Sequence, residues 1–321
     1  MRIKFIHTYQ DIISVENFLE SWREFTKGKK SRTDVQLFSF YLMNNIIDLH
    51  NDLLNFNYQH GPYQSFSIND PKPRNIHKAL VRDRLLHHAI YRILYPFFDS
   101  VFASDSFSCG DRKGTHKALN RFRQFSCVVS KNNTKTCWVL KCDIRKFFEN
   151  IDHQILIDIL TRYIQDKDIM WLLNEVISSF HKGLSLGNLT SQLFVNIYMN
   201  EFDRWIKHHM KAKYYIRYAD DFVILSQDKS WLQELTFKIG DFLSERLKLE
   251  LHPNKVYIKT FASGVDFLGW VHFPKHRVLR TATKKRMFKK IKINPKKEAV
   301  ASYLGLLKHG NGYKLRKSVI K

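Results

Sequence analysis

The chain has 321 residues, and 53 Lys and Arg against 30 Asp and Glu give it a formal net charge of +23. This length can hold two or three subdomains and bury a substantial core. So strong a positive charge predicts a polyanionic partner, either nucleic acid or an acidic membrane surface. No apolar run approaches the roughly 18–20 residues that span a bilayer. The N-terminus shows no signal-peptide pattern, so we expect a cytoplasmic protein.

Residues 10–55 and 85–105 are predicted to be helical. Ser14 is expected to cap a helix that runs through Trp22, and a second helix is predicted from about residue 31 to Leu54. Residues 85–105 show the same apolar periodicity, and we expect this helix to be interrupted at Pro96.

A basic segment lies between these helices. Residues 56–84 predict short strands and a strand hairpin. Its cations alternate with apolar residues and are Lys72, Arg74, Lys78, Arg82 and Arg84. Such side chains suit a triphosphate or a backbone phosphate, although a solvated basic face fits the spacing equally well.

A helix start is predicted near residue 114. Thr115 is a plausible N-cap, and Arg112, Lys113 and Lys117 lie beside it. This arrangement fits the binding of a nucleic-acid phosphate, and it fits an ordinary capped helix equally well. The cysteines form no Cys-x-x-Cys pair and are expected to be reduced and structural rather than zinc ligands; they are Cys109, Cys127, Cys137 and Cys142.

Acidic residues stand at the ends of two predicted strand elements. Residues 138–142 predict an apolar strand, and Asp143 leaves its end. Residues 214–226 predict a hairpin whose turn sets Asp220 and Asp221 at its tip. With no basic neighbour to neutralise them, these acids predict a divalent cation held by oxygen ligands. A solvated turn, and for Asp143 the capping of a following turn, remain open.

Further elements follow from local patterns. Asp152 is expected to cap a helix, and residues 183–194 predict a glycine loop that feeds a helix begun by Thr190 or Ser191. Residues 230–247 predict another helix. Residues 275–321 are strongly basic and predict an amphipathic helix, for which the net charge favours a nucleic-acid grip over a solvated face.

These pieces together match a two-metal phosphoryl-transfer site. Three acids lie on two strand elements, accompanied by basic hairpin residues and a basic tail. Two cations about 4 Å apart activate a primer 3′-oxygen and stabilise the leaving pyrophosphate. Mg²⁺ prefers a few carboxylates together with substrate phosphates, which suits three acids better than a full protein cage does.

At this point the chain resembles a family, the bacterial reverse transcriptases, over about residues 55–315. The matching blocks, in order, are Lys72-Pro-Arg74, Val81-Arg-Asp-Arg84, the stretch from Asp143 to His153, Tyr218-Ala-Asp-Asp221 and Phe267-Leu-Gly-Trp270. The resemblance implies an α+β, right-hand polymerase fold. Residues 1–135 would form N-terminal helices and fingers with part of the palm, residues 136–272 the palm with the catalytic site, and residues 273–321 a helical thumb.

The resemblance also implies roles for individual residues. Asp143, Asp220 and Asp221 would be catalytic and would bind two Mg²⁺ ions, or Mn²⁺, with the Ile144 carbonyl completing the site. The dNTP would be bound by Lys72, Arg74, Phe148, Leu186 and Gln192. Phe148 would exclude the ribose 2′-hydroxyl, while Phe147 fills the core. Nucleic acid would be bound by Arg82, Arg84, Arg112, Lys113, Lys284, Lys285, Lys289 and Lys290.

The glycine loop indicates a subfamily. Group II intron and retron enzymes usually carry Gln-Gly-x-x-x-Ser-Pro, whereas this chain has Leu186-Gly-Asn-Leu-Thr-Ser-Gln192. This form, together with Ser302-Tyr-Leu-Gly-Leu-Leu-Lys-His309 and Tyr313-Lys-Leu315, resembles reverse transcriptases of diversity-generating retroelements. We expect no maturase, nuclease or RNase H domain after Leu315.

That subfamily implies a specific role and specific partners. The enzyme would copy a template-repeat RNA into cDNA with errors opposite adenine, and Leu186 would lie under the incoming base pair. Its partners would be the template RNA, the RNA/cDNA duplex and an oligomeric, basic accessory variability protein.

Two other functions stay open. The first is a related bacterial reverse transcriptase in anti-phage defence or retron-like DNA synthesis, which neighbouring genes would discriminate. The second is a non-catalytic RNA-binding scaffold, against which the three intact acids argue, because a scaffold has no need of clustered, mutually repelling carboxylates.

Overall fold

A computed structural model describes residues 4–69, 73–110, 113–293 and 297–320. Within them the helices are α1 (Tyr9–Ile13), α2 (Val15–Phe25), α3 (Thr33–Phe40), α4 (Leu42–Leu54), α5 (Val81–Val101), α6 (Thr115–Val129), α7 (His153–Thr161), α8 (Lys167–Ser178), α9 (Leu189–Arg204), α10 (Lys229–Leu247), α11 (Thr281–Ile293), α12 (Lys297–Leu307) and α13 (Tyr313–Ile320). The strands are β1 (Gln64–Ile68), β2 (Arg74–Lys78), β3 (Trp138–Asp143), β4 (Tyr215–Tyr218), β5 (Asp221–Ser226), β6 (Tyr257–Thr260), β7 (Val265–Phe267), β8 (Trp270–His272) and β9 (Arg277–Leu279). The α+β class predicted from the sequence is confirmed.

The chain forms two compact units, each assembled from separate segments. Unit 1 comprises Met1–Ser104, Arg145–Trp205 and Phe242–Glu250. Unit 2 comprises Asp105–Ile144, Ile206–Asp241 and Leu251–Lys321. The division into fingers, palm and thumb along the sequence stays a prediction.

Unit 1 is mainly helical. Helix α5 packs against α2 and α9, and the buried side chains of α2 and α5 include Phe18, Leu86 and Phe98. Strands β1 and β2 form an antiparallel hairpin in which Phe66 faces Ile76. Because α5 is anchored by apolar residues on both sides of Pro96, it continues through the proline without the predicted interruption.

Unit 2 contains the antiparallel sheet with strand order β4-β5-β3-β6 and a smaller sheet, β7-β8-β9. Helix α6 covers the larger sheet, and Phe122 packs in a core cluster that includes Val223, Phe267 and Trp270. The turn between β7 and β8 places Leu268 and Gly269 at φ values of 49° and 84°. Two successive positive φ values are typical of the type I′ hairpin turn, which favours glycine.

Several local predictions are confirmed. Ser14 accepts a hydrogen bond from the backbone N–H of Asn17 at the start of α2. Asp152 accepts one from Ile155 at the start of α7. Both caps could be predicted because a capping interaction depends on residues within one helical turn.

Other local predictions are wrong. The helix expected over residues 31–54 is divided at Tyr41, whose φ of −110° and ψ of 35° leave the helical region. The N-cap of α6 is Gly114 instead of Thr115, and α9 begins at Leu189, before both predicted starts. The basic tail is not one continuous helix, since β9 occupies Arg277–Leu279 and α11, α12 and α13 follow it.

Candidate active site

The candidate active site of unit 2 is built on strand β3. This strand lies between β5 and β6, and Asp143 is its last residue. In the register of β3 and β5, Asp143 pairs directly with Asp221. Directly opposed residues in antiparallel strands have Cβ atoms about 4.5–5.5 Å apart, so this register brings two carboxylates together.

The third acid, Asp220, occupies the turn between β4 and β5. Tyr218 pairs with Asp221, which leaves only Ala219 and Asp220 in the turn, and Ala219 has a φ of 55°. Asp221 therefore belongs to the strand and not, as expected from the sequence, to the turn tip. The backbone N–H of Ile144 donates to the carbonyl of Asp220 at 3.2 Å, and this bond holds the turn against the end of β3.

Two lysines neutralise acids of this site, so the prediction that the acids have no basic neighbour is wrong. Lys141 Nζ lies 2.7 Å from Asp221 Oδ1, and Lys255 Nζ lies 2.6 Å from Asp143 Oδ1. Lys141 stands two residues before Asp143, and alternation along a strand puts residues i and i+2 on one face. Strand alternation could therefore have placed Lys141 beside Asp143 from the sequence, whereas Lys255 reaches the site from a distant segment.

Burial dominates the electrostatics of the acids. It raises the pKa of Asp221 to about 6, although Lys141 opposes the shift. The pKa of Asp220 is also raised, first by burial and then by the negative charge of Asp143. Burial alone would lower the pKa of Lys141, but Asp221, Tyr257 and Asp143 together outweigh burial and raise that pKa. The site thus holds more negative charge than its lysines balance.

The carboxylate oxygens of these acids can complete a Mg²⁺ site only together with oxygen ligands from a substrate. Carboxylate oxygens are the ligands that Mg²⁺ prefers, and the repulsion between Asp220 and Asp143 means that a cation between them would stabilise both. Yet no group of three or more His, Cys, Asp or Glu within the described residues could by itself hold a metal ion. A magnesium ion here would use one or two carboxylates and take its remaining ligands from water and phosphate.

A buried arginine supports the turn, and its role was not predicted. Arg217 is fully buried and donates to the carbonyl of Ala219 at 3.1 Å and to Ser106 Oγ at 2.9 Å. Its backbone N–H donates to the carbonyl of Asp105, whose carboxylate pairs in turn with Arg121 and Lys207. A buried guanidinium that bonds the turn backbone fixes where Asp220 can lie.

Unit 1 contains the predicted nucleotide-binding residues, and backbone hydrogen bonds connect the segments around several of them. Arg74 opens β2 and is exposed. Farther along β2, the backbone N–H of His77 donates to the carbonyl of Leu186 in the glycine loop at 3.0 Å. The next residue, Gly187, has a φ of 123°, and a Cβ there would lie 3.0 Å from Ile76 Cγ2. The hairpin and the glycine loop are therefore in close backbone contact.

The glycine loop also contacts the segment that follows the catalytic strand. Leu184 donates its backbone N–H to the carbonyl of Phe148 at 2.8 Å. Phe148 is half-buried and begins a short 3-10 helix, whereas Phe147 is buried. Neither lies on a strand, so strand alternation does not separate them as predicted; the gating role of Phe148 stays a prediction.

The remaining predicted residues are more dispersed. Gln192 is exposed on α9. Arg82 and Arg84 lie on α5 rather than on a hairpin, and they pair with Asp52 and Asp34. Lys113 precedes α6, and Lys284, Lys285, Lys289 and Lys290 lie on the exposed side of α11, opposite buried Met287. Lys72 and Arg112 lie outside the described residues. The binding roles of this set stay predictions.

Comparison with known families identifies the class of protein. The model of the family described as "Reverse transcriptase (RNA-dependent DNA polymerase)" matches residues 68–272, more than half of the chain. The matched region contains Asp143, Asp220 and Asp221. The chain therefore belongs to the reverse transcriptase family and is an RNA-directed DNA polymerase by class.

Curated relatives agree with this assignment. The chain is 24% identical over 295 residues to the protein YkfC of Escherichia coli, a match that covers 78% of this chain and 75% of YkfC. It is 24% identical to the group II intron-encoded protein LtrA of Lactococcus lactis, covering 68% of this chain and 47% of LtrA. The chain thus spans less than half of LtrA.

Solved structures show the same fold. Apo telomerase from Candida tropicalis, truncated from its C-terminal domain, matches with a TM-score of 0.54 at 12% identity. That match covers 72% of this chain and 59% of the telomerase chain. Telomerase from Candida albicans, in a complex with a fragment of telomeric RNA, matches with a TM-score of 0.53. The right-hand polymerase fold predicted from the sequence is confirmed.

No helix in the described ranges is both long enough and apolar enough to cross a membrane.

Proposed function

We propose that the chain extends a DNA primer on an RNA template by two-metal phosphoryl transfer. The observation that carries the proposal is the direct pairing of Asp143 with Asp221 across β3 and β5, with Asp220 held beside them. Two Mg²⁺ ions, when bound, would lower the charge barrier to attack by the primer 3′-oxygen and to departure of pyrophosphate.

The chain's own residues hold and tune this site. Asp143, Asp220 and Asp221 would supply metal oxygen ligands, with the Ile144 carbonyl as a further ligand. Lys141 and Lys255 balance part of the negative charge of the acids in the absence of metal. This balance lets the carboxylates lie close together without a full set of protein ligands around a metal ion. Arg217 keeps the Ala219–Asp220 turn in place.

Residues of unit 1 would bind the incoming dNTP. Arg74 is exposed on β2, and its planar guanidinium suits the oxygens of a triphosphate. Lys72 would assist it. Phe148, whose backbone is anchored by the glycine loop, would place a flat ring under the sugar and exclude a 2′-hydroxyl.

We further propose that the enzyme belongs to a diversity-generating retroelement, copying a template-repeat RNA with errors opposite adenine alongside a basic accessory variability protein. Leu186 supports this finer assignment because it stands where related enzymes usually carry Gln. A Gln there can hydrogen-bond the nascent pair, whereas Leu offers only dispersion contact, which is nearly indifferent to pairing geometry. Removal of a hydrogen bond worth about 1 kcal/mol changes discrimination roughly fivefold.

Sequencing of cDNA made by wild-type and Leu186→Gln enzymes tests this proposal. The loop contact of residue 186 uses its backbone carbonyl, so the variant is expected to keep the loop in place. We expect misincorporation opposite template adenine to fall about fivefold, and to fall less opposite the other bases. Leu37→Gln, at an exposed position of α3, is the matched control. Identical error spectra for all three enzymes would reduce Leu186 to a packing role and favour a retron-like or defence enzyme.

A further inference from the structure

A small cavity lies against the buried side of the glycine loop in unit 1, and we call it the loop cavity. It is lined by residues of the loop and of α5, α8 and α9, together with Tyr63. The space open to the centre of a water-sized sphere is about 10 Å³. That is roughly the space that one water molecule needs, so a nucleotide or a phosphate does not fit.

Two polar side chains of the cavity wall are buried without a protein hydrogen-bond partner. His87 of α5 is 1% exposed, and neither Nδ1 nor Nε2 of its ring has a partner among the described residues. Asn188 of the loop is 3% exposed, and its Oδ1 has none either. Buried polar atoms of folded proteins are nearly always hydrogen-bonded, and ordered water serves where protein groups do not reach. A water-sized cavity between two such side chains therefore predicts a bridging water.

Water suits these two side chains whichever ring nitrogen of His87 carries the proton. Burial lowers the pKa of His87 well below its ordinary value, so the ring is neutral and has one donor and one acceptor. A water molecule can donate to Asn188 Oδ1 and can either donate to His87 or accept from it, whereas an anion has no proton to donate. A cation is disfavoured, since no Asp or Glu of the described chain lines the cavity.

A bond to Asn188 acts on the part of the loop that contains Leu186. The side-chain N–H of Asn188 donates to Ser185 Oγ at 2.8 Å, so these two side chains close the loop around Leu186 and Gly187. Ser185 Oγ lies in turn 3.3 Å from Ser191 Oγ in the first turn of α9. A hydrogen bond that holds Asn188 Oδ1 therefore restrains the residues on both sides of the Leu186–Gly187 pair.

We propose that one buried water molecule bridges His87 and Asn188 Oδ1, and that His87 is thereby a positioning residue for the glycine loop. Helix α5 packs against α2 and α9, so the bridge ties the loop to the helical core of unit 1. The proposal deepens the proposed function because it identifies what holds Leu186 in place. Only its consequence for dNTP binding rests on that function.

A crystal structure of the full chain, at a resolution that shows ordered water, tests the bridge directly. We expect one water oxygen within about 3.2 Å of a ring nitrogen of His87 and of Asn188 Oδ1. A direct hydrogen bond between the two side chains would overturn the proposal, and so would a cavity with no water between them.

Amide hydrogen exchange of residues 185–188 measures the positioning role without catalysis. We expect His87→Leu to speed exchange in this segment about fivefold, the effect of one lost hydrogen bond on local opening. His88→Leu is the matched control, because it makes the same change one residue farther along α5, where the ring packs edge-on against Phe25 and does not line the cavity. The control should change loop exchange less than about twofold.

Amide variants separate the hydrogen bond from packing. His87→Asn places a polar atom near the position of Nδ1, and His87→Gln places one near that of Nε2. We expect at least one of them to restore loop exchange to within about twofold of wild type, and the one that does so identifies the nitrogen that bonds the water. Loop exchange in His87→Leu as slow as in wild type would overturn the proposal, and so would a failure of both amide variants to slow it.

The KM for dNTP distinguishes this proposal from the proposed function. If the loop contacts the incoming dNTP, His87→Leu should raise that KM about fivefold and change kcat less, because a loosened loop binds substrate less well. Faster loop exchange with an unchanged KM would retain the water bridge and would contradict the placement of the loop at the dNTP.

Discussion

At the scale of single residues, Lys141 and Lys255 differ in burial, although each pairs with an acid of the candidate active site. The side chain of Lys141 is 8% exposed, whereas that of Lys255 is 40% exposed. Loss of one partner from a buried pair leaves a charge that water cannot reach, but loss of an exposed partner is readily screened. The two lysines should therefore differ in their effect on stability.

We expect Lys141→Met to lower the free energy of unfolding by about 2–3 kcal/mol, less than for a fully buried pair because Asp221 retains some exposure. Lys255→Met should lower it by less than about 1 kcal/mol. Methionine keeps most of the aliphatic stem in both cases, so the comparison isolates the charge. Urea denaturation of the two variants measures the difference, and equal losses would contradict the proposed ranking.

Phe147 and Phe148 are adjacent but differ in burial, and this difference predicts different phenotypes. Phe147 is 4% exposed, so Phe147→Ala should cost about 3–5 kcal/mol of stability. Phe148→Ala should leave the fold largely intact and admit ribonucleotides into the growing strand. Incorporation of rNTPs beside dNTPs by each purified variant checks both expectations. The reverse pattern would mean that Phe147 is the gate.

At the scale of elements, the contact between the glycine loop and the 3-10 helix positions Phe148. Gly183 has a φ of 65°, and a Cβ there would lie 2.2 Å from the Phe148 carbonyl oxygen. Both the backbone conformation and the space exclude a side chain. The loop can approach this segment only because residue 183 is glycine.

Gly183→Ala should therefore destabilise unit 1 by roughly 2 kcal/mol or more and also reduce dNTP affinity. Gly240→Ala is the matched control, since Gly240 lies within α10 with no atom within 4 Å of the added Cβ. That change should stabilise the helix by about 0.5–1 kcal/mol. Thermal unfolding and the KM for dNTP measure both variants; unaltered values for Gly183→Ala would show that the loop can move away.

The elements also show which features a sequence can predict. The caps at Ser14 and Asp152 and the β4–β5 hairpin depend on neighbouring residues, and local patterns predicted them. The division at Tyr41 has no glycine or proline to signal it, so the local pattern predicted one continuous helix. Lys141 could have been placed beside the acids from strand alternation, but Lys255 and Ser106 reach the site from distant segments and needed the structure.

At the scale of the whole molecule, the cations behind the net charge of +23 differ in whether they pair with acids or lie exposed. Arg82, Arg84 and Lys78 pair with acids inside unit 1. On α11, by contrast, Lys284, Lys285 and Lys289 are exposed around buried Met287. We therefore expect α11, more than the cations of α5, to bind the phosphate backbone of a template–primer duplex.

Lys285→Gln combined with Lys289→Gln should weaken duplex binding uniformly across sequences. The slope of log affinity against log salt should decrease by about one unit for each phosphate that the variant no longer neutralises. Lys27→Gln combined with Lys30→Gln, at exposed positions of unit 1, removes equal charge as the control. Salt titration of binding measures the slopes. An unchanged slope in the α11 variant would assign this surface to another partner, such as an accessory protein.

The central claim is that three aspartates brought together by β3 and the β4–β5 turn catalyse Mg²⁺-dependent DNA synthesis on RNA. Primer extension by wild type, Asp220→Asn and the exposed control Asp241→Asn tests it most directly. We predict that Asp220→Asn lowers the rate by roughly a hundredfold or more, because several kcal/mol of charge stabilisation are lost. Its unfolding midpoint should equal or exceed that of wild type, since a mutually repelling charge is removed. Wild-type and Asp241→Asn rates should agree, and both should vanish when the metal is chelated. Near-normal extension by Asp220→Asn would contradict the assignment.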